Sequence, residues 1–358
     1  MLHLRVLILL LLLGRSVGWR KTDGKNFTNF PAILVFGDST VDTGNNNYIA
    51  TAIKGNHYPY GKDFPGHVST GRFSNGKLSV DFIASMLGVK QTIPPFLQPY
   101  LSANELRTGV CFASAGTGYD DLTAAITGVV PVGNQVDLFE GYRKRLKKIV
   151  GDEEAKRIIG GSLVIISAGT NDFIFNYYDA PTRRLEFDID GYQDFILERV
   201  HNFVKELYYL GCRTLVLAGL PPIGCLPIQI TANIKGRFHS KCVEEQNADA
   251  RAYNRKLVAL LTQIQMSLKG SRLFYADIYN PIMDIIRCPK QHGFRETMKG
   301  CCGTGLLEAG PLCTPLTPLC HNSSEYMFFD SIHPSEKTYR YVTECLKKQI
   351  LDKLYKST

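Results

Sequence analysis

Along most of this chain, short apolar runs alternate with longer stretches whose apolar residues recur every three or four positions. The short runs are AILVF (32–36), GVCFASA (109–115), SLVIISAG (162–169), RTLVLAG (213–219) and RLFYAD (272–277). Each is apolar nearly throughout rather than at every second position, the pattern of strands covered on both faces of a parallel sheet. Helical patterns between them fall at KLSVDFIASMLG from Lys77, with Asn75 placed to cap it, at 136–151, at 192–211 and from Val243 to Leu268. A last helix is expected after His333, where Pro334 suits the first helical position. Helical crossovers between parallel strands predict an α/β protein, a three-layer α/β/α sandwich with a central parallel sheet of about five strands.

The first residues break this pattern. Arg5, an apolar run from Val6 to Leu13, and the small residues Ser16 and Gly18 form the pattern of a cleaved secretory signal over 1–18. The run is too short to span a bilayer, and no other segment approaches ~18 unbroken apolar residues. Loss of 1–18 removes Arg5 and Arg15 and no acid, so the formal charge falls from +8 to +6. That mild excess, with RKRLKK (143–148) as a solvated helix face, gives no ground for nucleic-acid binding. An exported chain explains the ten cysteines as a source of disulfides rather than metal ligands, since GCCGTG and CTPLTPLC lack zinc-site spacing. Cys111 and Cys212 fall at strand-like positions and are expected to be small buried hydrophobes; the pairings of the others stay open. The sequons at Asn26 and Asn322 are expected to be surface glycosylation sites.

Three strand runs end in polar clusters: GDS, ASAGTG and SAGTND. Ligands of open parallel sheets bind beyond the carboxyl ends of the strands, so these clusters converge on one rim. Ser39 is the candidate nucleophile there, with Gly37 allowing a tight turn and Asp38 a local turn residue. A serine hydroxyl needs a base to take its proton, and the base needs a carboxylate to orient it. Among eight histidines only His333 has an aspartate three residues earlier, Asp330 in FFDSIHPSE. Gly116 and Asn171 offer a backbone N–H and a side-chain amide for a developing oxyanion. The only G-x-S-x-G, GRSVG at 14–18, falls within the leader, which argues against the α/β-hydrolase elbow. Phe173, Phe175, Tyr177 and Tyr178 follow Asn171 closely and are candidates for an acyl pocket or for core under the rim.

FGDSTVDTGNNNY, FASAGTGYDDLT, SAGTNDF, GLPPIGCLP and FFDSIHPSE, in this order, resemble the blocks of the plant secreted GDSL esterase/lipases within the SGNH hydrolase superfamily. The resemblance runs from about Asn29 to Tyr341 and implies a flavodoxin-like single domain, here 29–355, that hydrolyses carboxylic esters. It implies Ser39 as nucleophile and oxyanion donor, Gly116 and Asn171 as the other donors, His333 as base and Asp330 as its orienting acid. It implies no metal or organic cofactor, an ester substrate of lipid or cell-wall origin, and a secreted location. It admits acyl lipids, polyesters and acetylated polysaccharides, and leaves an acyltransferase or a non-catalytic binding protein as alternatives. Cys111 stands where the family commonly carries Asn, which puts a supporting hydrogen bond in question.

Overall fold

The central sheet consists of four parallel strands, β1 (Ile33–Gly37), β2 (Leu163–Ser167), β3 (Thr214–Ala218) and β4 (Arg272–Ala276), side by side in chain order. The computed structural model of the chain describes residues 30–233 and 241–351. The expected signal at 1–18 and the sequon at Asn26 lie outside the described residues.

About five strands were expected, and the run GVCFASA (109–115) takes the fifth place without becoming a strand. It runs along the free edge of β1, where Val35 N–H donates to Val110 O (3.1 Å), and Phe112 N–H and Ser114 N–H donate to Val35 O (2.7 Å) and Gly37 O (2.9 Å). Its outer edge meets the 94–96 segment only at Cys111, whose N–H donates to Pro94 O (2.9 Å) and whose carbonyl accepts Phe96 N–H (2.8 Å). The Asn45 amide takes the carbonyls of Cys111 and Ala113 at 2.9 and 2.8 Å, and Cys111 forms only isolated bridges. Beyond that single bridge a side chain, not a strand, takes the outward carbonyl of Ala113, and regular pairing stops.

Two helical layers cover the sheet. On one face lie α2 (Val132–Val150), α3 (Ile189–Tyr209) and α4 (Glu244–Ser267); on the other lie α1 (Ser79–Met86), α5 (Tyr279–Arg287) and α6 (Glu336–Leu346). In α2 the buried residues Val132, Val136, Phe139, Tyr142 and Leu146 recur at helical spacing and turn one stripe to the sheet. Phe36 of β1 meets Phe139 of α2 and Phe203 of α3 edge-on, so this face is packed with rings.

Two helix starts differ from expectation. The Asp81 carboxylate accepts Leu78 N–H (3.0 Å), so α1 begins at Ser79, and Asn75 instead accepts Glu336 N–H (2.8 Å) at the start of α6. Helix α6 begins at Glu336 with Ser335 as its cap, because Pro334 is held in an antiparallel bridge to Phe328. Phe328 ends a second, two-stranded sheet of β5 (Glu296–Gly300) and β6 (Tyr326–Phe328). The disulfides Cys301–Cys320 and Cys302–Cys313 knot the loop beside it, and Cys225–Cys242 closes another. Cys302 N–H donates to Phe329 O (2.9 Å), so the knotted loop grips the segment that carries Asp330. Cys111 and Cys212 are fully buried, and burial pushes both thiols up to about 12. Among the described residues no helix is long and apolar enough to cross a membrane, and no cluster of His, Cys, Asp and Glu could hold a metal ion.

Candidate active site

Strand β1 delivers the candidate serine. Gly37 ends it at φ +135°, and a Cβ there would fall 1.9 Å from Ser167 O, so only glycine permits the turn. Gln135 of α2 clamps the same residue, accepting Gly37 N–H (2.8 Å) and donating to Gly37 O (2.9 Å). Asp38 then turns inward and accepts both the backbone N–H (2.9 Å) and the hydroxyl (2.7 Å) of Thr40. Burial, partly offset by these bonds, raises its carboxyl to about 6.

Nearly three hundred residues further along the chain, the loop after β6 brings the other two groups to Ser39. Ser39 Oγ stands 2.8 Å from His333 Nε2, and His333 Nδ1 stands 2.7 Å from Asp330 Oδ2. Asp330 Oδ1 also accepts the backbone N–H groups of Ile332 (2.8 Å) and His333 (2.6 Å), which folds the three-residue spacing into a turn. An ionised carboxylate can only accept, so Nδ1 carries the proton and Nε2 is left facing the serine hydroxyl. The Phe73 ring lies 4.9 Å from the His333 ring and limits its rotation. All three residues are buried.

Gly116 and Asn171 stand on the rim loops that follow the two segments paired with β1. Gly116 adopts φ +88°, while a Cβ would find its nearest neighbour at 3.4 Å, so backbone conformation rather than space selects glycine. The Asn171 amide donates to Thr117 O (2.8 Å), which fixes its orientation beside that loop. Neither Ser39 N–H nor Gly116 N–H has an acceptor among the described residues. Two buried carboxylates pin the glycine loop at both ends. Asp42 accepts Ala115 N–H (3.0 Å), and Asp172 accepts Tyr119 N–H (2.8 Å), Asp120 N–H (3.1 Å) and the Thr123 hydroxyl. Burial dominates both, raising Asp42 to about 6 and Asp172 to about 7.

The GDSL-like lipase/acylhydrolase family matches residues 33–346, a span that holds every one of these groups. The chain belongs to that family. It is a family of carboxylic ester hydrolases. Among its relatives from Arabidopsis thaliana, GDSL esterase/lipase At2g30220 is 56% identical over 323 residues, covering 90% of each chain. GDSL esterase/lipase At1g06990 is 53% identical over 325 residues, covering 91% of this chain and 90% of its own. GDSL esterase/lipase At2g31550 is 57% identical over 315 residues, covering 87% of each.

Several residues of this GDSL site carry no sequence signal of their own. Tyr60, fully buried, donates its hydroxyl to Asp330 Oδ2 (2.6 Å) and accepts Gly310 N–H (2.7 Å). The triple asparagine proves to be three separate ties: Asn45 to Cys111 and Ala113, Asn46 to Ile53 O (2.8 Å) and Ala115 O (2.9 Å), Asn47 to Thr70 O (2.9 Å). At Cys111, the thiol donates to Val41 O (3.3 Å) where an amide was expected, and Asn45 serves the nearby carbonyls.

The structure does not bring the four candidate aromatics together as a pocket wall. Phe173 is fully buried against Tyr192 and Tyr253, and Tyr177 stacks on Tyr192, so both pack under the rim toward α3 and α4. Tyr178 donates to Asp249 (2.9 Å), and Phe175 packs partly buried on the same core. Asn322 is exposed.

Proposed function

We propose that the chain is a secreted serine esterase that cleaves carboxylic esters through an acyl-enzyme on Ser39, working as one domain over 29–355. The observation that carries this reading is the continuous line from Ser39 Oγ through His333 to Asp330, with 2.8 and 2.7 Å links. His333 Nε2 takes the Ser39 proton as Oγ attacks the ester carbonyl carbon. The carbonyl oxygen, now negative, faces the free N–H groups of Ser39 and Gly116 and the Asn171 amide. Collapse expels the alcohol, which takes the proton from His333, and leaves the acyl group on Ser39. Water then gives a proton to the same nitrogen, attacks the acyl carbon and releases the acid, returning the proton to Ser39. The three disulfides support an extracytoplasmic location, with 1–18 as the leader and Asn26 and Asn322 as glycan sites.

A fluorophosphonate, which modifies only an activated serine, tests the assignment directly. Labelling is expected at Ser39 and absent in His333→Ala; labelling elsewhere, or equal labelling of the variant, refutes it.

Tyr60 is a positioning residue on this reading. Its hydroxyl donates to Asp330 Oδ2, the oxygen that also meets His333 Nδ1, and so holds the carboxylate in place, as outer hydrogen bonds hold metal-bound histidines. Tyr60→Phe is expected to lower kcat about tenfold, within the range for such partners, with KM little changed and phosphonate labelling slowed in proportion. A lower melting temperature without that kcat-against-KM split would mean that Tyr60 only supports the fold.

A further inference from the structure

The two faces of the central sheet are finished differently. The face under α2 and α3 is filled with phenylalanine rings. On the opposite face, strand register lines side chains up in rows, from Leu163 beside Thr214, through Ile165 beside Val216, to Ser167 beside Ala218 and Ala276. The row nearest the carboxyl ends, and so nearest the rim, consists only of small residues. Ser167 and Ala218 are not fully covered although they stand on central strands.

Between that face and helices α1, α5 and α6 lies an apolar cavity of about 130 Å³. Protein interiors hold few voids larger than a water molecule, and apolar voids of such a size stay dry and accept apolar guests. One end is bounded by Thr40, Thr170 and Ile332, the immediate chain neighbours of Ser39, Asn171 and His333. The other is bounded by Leu163, Leu346 and Ile350, at the opposite end of the strands. Tyr339 also lines it, and its buried hydroxyl has no hydrogen-bond partner among the described residues. Burial first, then the charges of Asp38 and Asp330, hold that phenol well above its ordinary value.

We propose that this cavity is the acyl subsite and takes an unbranched aliphatic acyl chain, which enters beside Ser39 and runs along β2 and β3 toward Leu163. The proposal deepens the esterase reading and rests on it. The four residue steps from Ser167 to Leu163 span about 13 Å of strand. An extended chain advances about 1.2 Å per bond, so the cavity suits an acyl group of about ten to twelve carbons. The lining is almost wholly apolar, and an acetyl group leaves nearly all of the cavity unfilled.

The rows act as a ruler that two substitutions read. Ala218→Leu fills the small row at the mouth, and Val216→Phe fills the row about 7 Å deeper. On the purified, disulfide-intact protein, kcat/KM is measured for p-nitrophenyl esters from acetyl to hexadecanoyl, and dodecanoate binding is measured by calorimetry on the Ser39→Ala chain. The parent's kcat/KM is expected to rise at least tenfold from acetyl to decanoyl or dodecanoyl and to fall beyond. Each variant is read as its own long-to-short ratio, so partial loss of fold cancels. That ratio is expected to drop at least tenfold in both, with the longest accepted chain about five or six carbons shorter in Ala218→Leu than in Val216→Phe. Dodecanoate is expected to bind Ser39→Ala and not Ala218→Leu/Ser39→Ala.

Acetyl turnover without a rise with chain length, or a rise that both variants leave unmoved, overturns the subsite while leaving the esterase standing. Dodecanoate binding in a parent that turns over no ester supports the subsite and overturns the esterase reading instead.

Discussion

Ser39→Ala is expected to lower kcat for any accepted ester by ~10³-fold or more, by the scale of other serine triads. The hydroxyl is the only atom removed, and its one close partner is His333 Nε2 at 2.8 Å. Deleting it leaves a buried imidazole nitrogen facing a methyl group, a small cost in stability beside the loss of the bond-forming atom. The melting temperature should therefore stay within a few degrees of the parent while turnover collapses. Residual activity should reflect only the oxyanion donors, since Gly116 and Asn171 are held by Asp42, Asp172 and Thr117 and not by the serine. Initial rates on a soluble ester, with a thermal melt of the same preparation, decide the matter. Near-parental turnover in the variant refutes the assignment of Ser39.

The largest effect on stability is expected at Arg72, a residue with no chemical role. Its guanidinium meets Asp81 twice at 2.8 Å, and both side chains are almost wholly buried. Nη2 also donates to Ile93 O (2.9 Å) and Nη1 to Thr43 O (3.2 Å) and Thr70 Oγ1 (3.0 Å). Asp81 in turn accepts Leu78 N–H (3.0 Å) and Ile93 N–H (2.9 Å), so one ion pair joins α1 to three loops. Arg72→Ala strands a buried carboxylate, which costs about 3–5 kcal/mol and should lower Tm by roughly 6 °C in a domain of this size. Lys is not expected to rescue it, because a single ammonium cannot reproduce the two-pronged contact. Removing both charges, as in Arg72→Met with Asp81→Leu, should recover part of the loss. The next residue, Phe73, lies against the His333 ring, so kcat should fall in Arg72→Ala as well. A Tm within 2 °C of the parent in Arg72→Ala refutes this account.

The strands and long helices were legible in the chain because their signals are local. Apolar runs fully covered on both faces, and stripes at helical spacing such as Val132 to Leu146, report burial directly. Helix ends were less legible. Asn75 and Pro334 are good cap residues by type, yet Asn75 caps a helix 261 residues away and Pro334 stays in a bridge. The 109–115 run stayed short of a regular strand: beyond β1 it meets backbone only at Cys111, and Asn45, 66 residues away, takes carbonyls on that edge.

The same division holds at the site. Ser39, His333, Asp330, Gly116 and Asn171 announced themselves by residue type, by position at strand ends and by their family blocks. Tyr60, Asp42, Asp172 and the tasks of the three asparagines did not, because each acts by a hydrogen bond to a distant segment, and single-sequence spacing carries no record of such partners. The aromatics after Asn171 show the converse: proximity in the chain suggested a pocket, while the fold turned Phe173 and Tyr177 into core and opened an apolar cavity on the other side of the sheet. By itself, the sequence determined the family and the layered α/β architecture and nominated a set of reactive groups, all from local pattern and residue chemistry. Only the tertiary structure decided which carboxylate reaches which ring, what braces it, and where an apolar cavity lies, because those are distances between segments as many as 294 residues apart.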